Sequence, residues 1–595
     1  MLNGRLYRVA FVPFVFALAI AAFSLSPRPL PFSSTLAPDA FEGARAFAEL
    51  RSLGERFPGR RPGSAGDERL ARTLAHELEG LGGAAGGGFS VRTQRVEGET
   101  IDGQRGLLNV IAERPGSTSA RPILILAHRD AAARGSLAEL SSTAALLELA
   151  RVFAGRETKR TIVLASTSGG SGGDAGAAQL SAALHGPFDA AIVLGDVAGA
   201  RVRKPSVLPF SDGLGLAPLA LQRTLADAIG HEAGFEPGAP SVLGQLAHLT
   251  FPLAVGEQGV LDAQGLPAVL VQVSGERGPA PGERVSSERL QGLGRSVLSA
   301  VDALDAAPDL SPTMQTSIVL QHQRLPEWAT RLLAITLLLP VLVAAADGLA
   351  RVRRRRRSIG RATVWALSCA LPFFCCALLT LLLGWLGIVA APSVPAPSGA
   401  MPLDGKAIAA VLAVALAFVL SWLVWQRLVR RLASSARPDG DVAGLALVLV
   451  LLTITLVAWI GNPFTALLAL PALHLWLLLA APELRPRRAA CVALVAVGLL
   501  PLALLIAFYA RQLGLGAGGV AWTALLLVAG GHVGVGAAIL WSLALGCGAG
   551  AVLLAAAPAP PAAPQIGDGV EVTIRGPLSY AGPGSLGGTE SALRR

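Results

Sequence analysis

The sequence predicts an α/β domain with a three-layer, mixed and mostly parallel sheet, followed by an all-α bundle that crosses a membrane several times. Three observations predict this division. Apolar strands alternate with helices up to about residue 325, and long apolar runs fill 326–557. The 595 residues are also 52% apolar and only 15% charged, whereas soluble domains carry about 25% charged residues. We therefore predict an integral membrane protein with one soluble domain.

The chain divides into four predicted parts. Residues 1–26 form a transmembrane anchor or signal peptide, 27–325 an extracytoplasmic domain, 326–557 a polytopic region of seven or eight helices, and 558–595 a Pro/Gly-rich tail expected to be disordered. We favour an anchor over a cleaved signal, because "AAFSLSPRPLP" is a poor small-residue cleavage site.

The soluble domain opens with two amphipathic helices that flank the loop "FPGRRPGSAGDE" at 57–68. In this loop we expect Arg60 and Arg61 to be solvated or paired with nearby acids. Asp67 and Glu68 fit the first turn of the second helix, where negative charge is favourable.

Strands and helices then alternate along the soluble domain. Predicted strands cover 89–99, 105–116, 122–130, 161–167 and 190–196; a helix covers 140–155, and another follows the fourth strand. The strands after residue 121 are continuously apolar, which indicates a sheet that is covered by helices on both faces.

Long apolar runs predict the membrane spans, since a helix needs about 20 apolar residues to cross a bilayer. The predicted spans are 7–26, 329–349, 362–391, 407–427, 442–461, 463–482, 489–509 and 520–557. The last run is interrupted by "GGHVGVG", so it is compatible with one span or with two short ones.

The net charge of +10 reflects arginines between the apolar runs, as in "RVRRRRRSIGR" at 351–361. By the positive-inside rule, this clustering places the N-terminus in the cytoplasm and 27–325 outside the plasma membrane. No basic stripe interleaved with aromatic residues appears, so we expect the lipid bilayer as partner and no nucleic acid. The arginine, alanine and glycine bias suggests a GC-rich bacterium.

Few polar groups in the apolar runs suggest chemistry. The five cysteines all lie there, at positions 369, 375, 376, 491 and 547, so the soluble domain has no disulfide and no thiolate metal site. His474 and His532 are the intramembrane histidines; each is a functional candidate or an interhelical hydrogen-bonding residue.

The stretch "TIVLASTSGGSGGDAGAAQL" at 161–180 predicts a strand, a glycine-rich turn and a helix. Its "GGSGG" fits a nucleophile elbow around Ser171, with Asp196 or Asp212 and His231 or His248 completing a triad. The same turn also fits two kinds of binding site. One is a dinucleotide turn formed by Gly170, Gly172 and Ala175, with Asp196 near a ribose, and the second is a backbone cradle for an anion or a peptide carboxylate.

The order of these motifs resembles the di-zinc aminopeptidase family, which includes bacterial leucyl aminopeptidases and glutaminyl cyclases. The resemblance covers about 40–305 and rests on the segments "FPGRRPGSAGDERLARTLAHEL", "ILILAHRD", "AALLELARVF", "TIVLASTSGG", "VLGDVAG" and "GLPAVLVQVSG". It implies a zinc-exopeptidase-like fold and two zinc ions with an activated water. Membrane-anchored members of the family have a similar architecture.

Three residues match the family's site. The resemblance implies that His128 and Asp196 are zinc ligands and that Asp130 orients His128 from behind. Glu139 lies near the position of the bridging carboxylate, which is occupied here by Ala138. These residues either form a residual site for one metal ion, or His128 is a structural histidine that is hydrogen-bonded to Asp130 at the end of its strand.

The remaining family positions are substituted. Gly169 and Gly170 replace the two glutamates that supply the general base and a second-zinc ligand, and the segment 274–285 contains no histidine. "GEQ" at 256–258 replaces an "SDH" turn. Since hydrolytic zinc needs three protein ligands and a base, we expect no family-type catalytic residue, with Ser171 as the one weak candidate, and no cofactor unless the residual site holds zinc.

Three functional hypotheses remain. The first is a pseudoenzyme that binds a peptide, a cell-envelope component or a partner protein. The second is an active metallopeptidase with a rearranged site of His128, Asp196 and Glu139. The third is a transporter or assembly factor in which the membrane bundle carries the function.

Overall fold

The structure is a computed structural model that describes residues 4–81, 88–180, 183–184, 187–310, 316–392, 396, 399–432, 440–479 and 488–556. Residues Met1–Ala555 group into one unit and Ala556–Arg595 into a second. The predicted disordered tail, 558–595, lies outside the described residues.

Ten strands form two sheets in the described chain. They are β1 (Ser26–Pro27), β2 (Ser90–Thr100), β3 (Gly103–Arg114), β4 (Ile123–His128), β5 (Ile162–Thr167), β6 (Ala190–Leu194), β7 (Val207–Leu208), β8 (Ala268–Val271), β9 (Ile318–Val319) and β10 (Gln323–Leu325).

The helices of the first half of the described chain surround the larger sheet, apart from the first two. They are α1 (Gly4–Val9), α2 (Val12–Phe23), α3 (Gly43–Arg56), α4 (Ala65–Gly80), α5 (Leu137–Ala154), α6 (Ala175–Leu180), α7 (Leu219–Glu232), α8 (Val242–Thr250), α9 (Glu257–Ala263) and α10 (Ser287–Ala306).

The second half of the described chain is helical and apolar. Its helices are α11 (Glu327–Arg354), α12 (Ile359–Ser368), α13 (Leu371–Trp385), α14 (Gly405–Leu432), α15 (Gly440–Gly461), α16 (Pro463–Leu467), α17 (Leu470–Leu479), α18 (Arg488–Gln512), α19 (Ala517–Ala529) and α20 (Val535–Ala556).

The larger sheet has seven strands in the order β2-β3-β5-β4-β6-β8-β7. The central strands β5, β4, β6 and β8 are parallel, whereas β2, β3 and β7 add antiparallel pairs at the edges. Residues of β4 alternate between two apolar clusters, Ile123 and Ile125 in one and Leu124 and Leu126 in the other. The mixed sheet with apolar layers on both faces is therefore as predicted, but only its three central pairings are parallel and the other three are antiparallel.

Local sequence signals account for the second amphipathic helix, α4. Ser64 is its N-cap and accepts a hydrogen bond from the Asp67 backbone N–H, while Asp67 accepts one from the Gly63 N–H. The bond to Ser64 satisfies an N–H group that the first turn of a helix leaves unpaired, and the bond from Gly63 fixes the residue that precedes the N-cap. Asp67 is also buried against Arg129 at 2.8 Å.

Seven helices are long and apolar enough to cross a bilayer, counting the described residues alone. They are Arg5–Phe23, Glu327–Arg354, Ile359–Trp385, Gly405–Val429, Gly440–Gly461, Arg488–Gln512 and Val535–Ala556. Two shorter apolar helical segments are Pro463–Leu479 and Ala517–Ala529. The run at 520–557 is thus two helices, separated at its glycines, and the run at 463–482 is a shorter segment than predicted.

A turn at the end of α8 joins the sheet to the apolar helices; we call residues 249–252 the docking turn. Its four consecutive carbonyl oxygens accept hydrogen bonds from side chains that follow or belong to the later helices. The donors are Asn462 to Leu249 (2.7 Å), Thr465 to Thr250 (2.6 Å), Tyr509 to Phe251 (2.7 Å) and His532 to Pro252 (2.9 Å). Unpaired backbone carbonyls are costly when buried, so these bonds fix the turn on the apolar helices.

Candidate functional site

The carboxyl ends of the parallel strands carry the predicted site residues. His128 is the last residue of β4 and lies opposite Thr167 of β5, and Asp196 follows β6 by two residues. The structure therefore brings His128, Asp196 and the glycine-rich loop to one sheet edge, where α/β proteins place their binding sites.

The glycine-rich loop folds around a carboxylate of its own chain. The backbone N–H groups of Gly169, Gly170 and Ser171 donate to Asp130 at 2.8, 3.1 and 3.0 Å, and the Ser171 hydroxyl donates to it as well. Gly169 has φ of +97°, which a residue with a side chain rarely adopts. The predicted anion cradle thus exists, but Asp130 occupies it.

These four hydrogen bonds give Asp130 a role different from the one the family resemblance implies. A carboxylate has about four lone-pair positions, and the loop uses four. No hydrogen bond joins Asp130 to the His128 ring among the described residues. Asp130 raises the pKa of His128 by its charge, but burial lowers that pKa by more.

His128 instead faces Glu257, the first residue of α9. Its Nδ1 lies 3.8 Å from Glu257 Oε2, while the Thr167 hydroxyl donates to Glu257 Oε1. Glu257 is 1% exposed, and burial raises its pKa to about 8. At neutral pH the two groups therefore meet as a neutral imidazole and a protonated carboxyl.

Asp196 shapes the turn after β6. Its Oδ1 accepts hydrogen bonds from the N–H groups of Ala198 and Gly199, at 3.2 and 2.6 Å, and its Oδ2 accepts one from the Ser274 hydroxyl at 2.7 Å. Burial nevertheless raises its pKa to about 6. Most of its acceptor capacity is therefore used within the fold.

Glu139 lies in the first turn of α5, close enough to Asp130, Asp196 and Arg60 for their charges to act on it. Burial is the largest effect and raises its pKa to about 7, while a hydrogen bond from Ser136 lowers it. Its Oε2 is buried without a partner among the described residues.

These residues do not fit a zinc ion. Nowhere in the described chain do three His, Cys, Asp or Glu side chains converge as a metal site requires. Asp130 and Asp196 accept hydrogen bonds mainly from donors of their own chain, and burial raises the pKa of Glu257 and Glu139. Asp196, the second predicted ligand, is therefore already hydrogen-bonded within the fold.

The residues that the sequence offered as a catalytic triad around Ser171 do not contact one another in the described chain. Ser171 is 2% exposed and bonds to Asp130 rather than to a histidine. His231 lies on the exposed side of α7, 3.8 Å from Asp227. His248 is buried 3.0 Å from Glu276 and stacks on Phe210, and Asp212 accepts from the Ala254 N–H.

A segment from the apolar region covers the glycine-rich loop. A Cβ atom placed on Gly172 would lie 2.8 Å from Ala396 Cβ, and one on Gly173 would lie 2.6 Å from Pro392 Cβ. The Ala391 N–H donates to Glu99 beside them. A dinucleotide phosphate needs an open glycine turn, so this packing disfavours the arrangement of Gly170, Gly172 and Ala175 as a phosphate site.

The two arginines of the basic loop before α4 have different surroundings. Arg60 is 1% exposed and donates to the carbonyls of Phe57, Arg129 and Ser136, which differs from the solvated or acid-paired side chain that we expected. Arg61 pairs with Asp102 at 2.6 Å. Both arginines hold the loop in place.

The two histidines of the apolar region, His474 and His532, are both hydrogen-bonded. His474 contacts the Tyr7 hydroxyl at 2.6 Å and the Leu337 carbonyl at 3.0 Å, and thereby links α1 to α11 and α17. His532 binds the docking turn. The position of His474 agrees with an interhelical hydrogen-bonding residue, whereas His532 lies in the turn between α19 and α20 and binds a loop carbonyl instead.

Sequence reasoning missed Glu257 and Asp174 as candidate site residues. Both are buried acids whose charges influence each other, and burial raises the pKa of Asp174 well above its usual value. Glu257 stands in the sequence as a departure from the family's "SDH" turn, which was the available signal. Asp174 directly follows the "GGSGG" motif and has no signal of its own.

Among known proteins, the chain is similar only to solved structures, and not to a family model or a curated sequence. No protein-family model and no curated protein matches the chain. A glutaminyl cyclase from Fimbriiglobus ruber has TM-score 0.33 and 16% identity, covering 46% of this chain and 99% of its own. An aminopeptidase from Aneurinibacillus sp. strain AM-1 has TM-score 0.34 and 13% identity, covering 47% and 97%.

A zinc aminopeptidase from Bacillus subtilis is similar at TM-score 0.32 and 11% identity, covering 44% of this chain and 94% of its own. At such scores and identities, the likeness supports no conclusion about activity.

Proposed function

We propose that the chain is an integral membrane protein whose outward-facing, zinc-exopeptidase-like domain does not hydrolyse peptides and serves as a scaffold or binding platform at the cell envelope. The observation that carries this proposal is the loop at 169–171. Its hydrogen-bond donors converge on Asp130 of the same chain, where a catalytic loop would present them to a substrate.

Two further observations support the proposal. The segment around Pro392 lies against Gly173, so the apolar region restricts access to the loop. The docking turn holds the same domain on three separate stretches of the apolar region. A domain held in this way is suited to presenting a surface in a fixed orientation to a peptide, an envelope component or a partner protein.

Zinc content and hydrolysis test the absence of catalysis. We expect the purified full chain, after incubation with zinc and desalting, to retain well below one equivalent and to show no chelator-sensitive hydrolysis of aminoacyl anilides. One or more bound equivalents that disappear in His128→Ala, together with such hydrolysis, would overturn the proposal in favour of the rearranged metallopeptidase. His231→Ala is the matched control, because His231 is exposed on α7.

Complementation in cells tests whether the protein acts as a scaffold rather than as an enzyme. In cells that lack the gene, a chain with His128→Ala and Glu257→Gln, which leave the hydrogen bond between Ser171 and Asp130 in place, should restore growth or envelope integrity as the unaltered chain does. A chain with Asn462→Ala and Thr465→Val should restore it poorly, because both donors to the docking turn are lost. The opposite pattern would indicate a catalytic role.

A further inference from the structure

A run of five arginines, Arg353 to Arg357, lies at the end of α11, and all five are exposed. We call this run the arginine turn. The surrounding segment, 351–361, contains no acidic residue. Asp347, one turn earlier in α11, is already paired with Arg351 at 2.5 Å. No ion pair in the described chain neutralises the first four arginines of the run. The arginine turn therefore presents several positive charges to the outside of the protein.

The backbone gathers these arginines at one tight turn. The Arg356 N–H donates to the Arg353 carbonyl at 3.0 Å, and the Arg357 N–H donates to the Val352 carbonyl at 3.2 Å. This is the Schellman arrangement, in which the residue beyond the helix takes a left-handed conformation. Because α12 already begins at Ile359, the five arginines are confined to the link between two helices.

Arg356 is the residue in the left-handed conformation, with φ of +51°. In the described chain, Asp174 is the only other residue with a side chain at positive φ. Glycine is the usual residue at this position of the turn, because a Cβ atom makes the left-handed conformation unfavourable. The chain has 68 glycines and yet places an arginine here. The folding of the turn alone does not account for this choice, whereas a need for positive charge does.

An exposed apolar face of α12 adjoins the arginine turn. Ala362 and Ala366 are buried in the apolar bundle, whereas Val364 and Leu367, roughly opposite them on the helix, are 67% and 42% exposed. Arg361 is exposed one turn before Val364. Positive charge is thus followed directly by exposed apolar surface. A phospholipid has the complementary order, because its phosphate is followed by hydrocarbon, whereas a nucleic acid or a soluble anion has no hydrocarbon part.

We propose that the arginine turn and the adjoining face of α12 bind an anionic phospholipid, with its phosphate at the arginines and an acyl chain along Val364 and Leu367. Charge complementarity selects an anionic head group over a zwitterionic one, since arginines beside a bilayer attract anionic lipids. A guanidinium group also donates two parallel hydrogen bonds to a phosphate. This surface is independent of whether the sheet domain hydrolyses peptides.

Native mass spectrometry of the full chain in mild detergent tests the site, because it counts the lipid molecules that stay bound. The probes are dioleoyl phosphatidylglycerol, which is anionic, and dioleoyl phosphatidylcholine, which has the same acyl chains and no net charge. We expect phosphatidylglycerol to bind about tenfold more tightly or better. Equal affinities would overturn the proposal. Inorganic phosphate or single-stranded RNA that displaced the lipid would assign the arginines to a soluble anion and would overturn it as well.

A triple variant distinguishes the arginine turn from the other basic segments of the chain. Arg354→Gln, Arg355→Gln and Arg356→Gln together should abolish the preference for phosphatidylglycerol. The matched control removes the same charge from three exposed arginines of the sheet domain, and it should keep the preference: Arg69→Gln, Arg105→Gln and Arg134→Gln. A preference that both triple variants keep, or that both lose, would contradict the proposal.

Arg356→Gly separates lipid binding from the stability of the turn. Because glycine suits the left-handed conformation, the variant should melt at the same temperature or higher. Its affinity for phosphatidylglycerol should fall about fivefold for the loss of one charge. Arg356→Lys is the control, since it keeps the charge and should retain the affinity. A lower melting temperature with unchanged lipid binding in Arg356→Gly would show that the arginine serves the turn alone.

Discussion

At the scale of single residues, Asp130 explains why the glycine-rich loop has its conformation. Its carboxylate gathers three backbone N–H groups and one hydroxyl at the end of β5. Hydrogen bonds to a charged acceptor contribute more than neutral ones. We therefore interpret Ser171 as a stabilising residue of the loop, and its substitution should affect stability.

Replacing Ser171 by alanine removes the hydroxyl donor to Asp130. The full chain in mild detergent should lose about 2 kcal/mol of stability, as for a hydrogen bond to a charged group. Thermal or denaturant unfolding measures this loss. Ser52→Ala, an exposed position on α3, should change little. Equal stability of the two variants would show that the Asp130 contact is unimportant.

Gly170 lies against His128 without space for a side chain. A Cβ atom there would be 2.4 Å from His128 Cβ, so Gly170→Ala should destabilise the chain by about 1–3 kcal/mol through overpacking. At Gly106 a Cβ meets nothing within 4 Å, and Gly106→Ala is the control. A neutral Gly170→Ala in the same unfolding measurement would mean that the loop can move away from His128.

Glu257 predicts a pH dependence of stability. Its folded pKa of about 8 lies above the unfolded value of about 4.3, so the folded chain holds a proton that unfolding releases between these values. Stability should therefore fall as the pH rises through this window, by up to about 1.4 kcal/mol per pH unit for one proton. Asp212 and Glu139 act in the same direction.

Glu257→Gln should flatten this fall, because the amide does not titrate. Unfolding midpoints measured at about pH 5.5 and about pH 8 compare the variant with the unaltered chain across this window. Glu113→Gln, at an exposed position on β3, should leave the slope unchanged. A slope that Glu257→Gln does not alter would contradict the assignment.

At the scale of elements, the docking turn connects the sheet domain to the apolar helices. Helix α8 ends at Thr250, so its last carbonyls have no partner within the helix. Side chains from the apolar region satisfy them, and the Tyr509 hydroxyl donates to the Phe251 carbonyl that follows. The end of a helix of the sheet domain thus becomes part of the packing of the apolar region.

Thr465→Val tests this connection at one bond. Loss of the hydroxyl donor to the Thr250 carbonyl should cost about 1 kcal/mol and increase amide exchange in α8 and the docking turn. Hydrogen–deuterium exchange of the full chain measures the change. Thr453→Val is the matched control, because the Thr453 hydroxyl bonds within its own helix to Leu449. Increased exchange in both variants would indicate a general loosening of the bundle.

At the scale of the whole molecule, arginine clustering predicts the orientation of the chain. Arg353 to Arg357 lie exposed in the last residues of α11 and directly after it. Exposed arginines at that helix end are favourable on the cytoplasmic side of a bilayer. The opposite end of the helix, Glu327, adjoins the small sheet of β1, β9 and β10.

Thiol labelling of intact cells tests this orientation. With the five native cysteines replaced, Ser52→Cys should react with a membrane-impermeant maleimide, since Ser52 is exposed on the sheet domain. Ser358→Cys, exposed beside the arginines, should react only after the cells are permeabilised. Labelling of the Ser358→Cys variant alone in intact cells would reverse the predicted topology.

The sequence was sufficient for features that depend on local patterns. Apolar runs located the long helices to within a few residues, and continuous apolar strands indicated the covered sheet, because burial on both faces leaves no polar alternation. The run at 520–557 shows what such local patterns leave undecided. Composition alone does not reveal that the glycines at 530 and 531 end one helix and that another begins at Val535.

By itself, the sequence determined an α/β domain joined to apolar helices, and the edge of the sheet at which His128 and Asp196 lie. Only the tertiary structure decided what these side chains bind. Asp130 meets the loop at 169–171, and Glu257 meets His128, although each pair is distant in the chain. Such contacts depend on long-range packing and desolvation, which motif spacing does not encode.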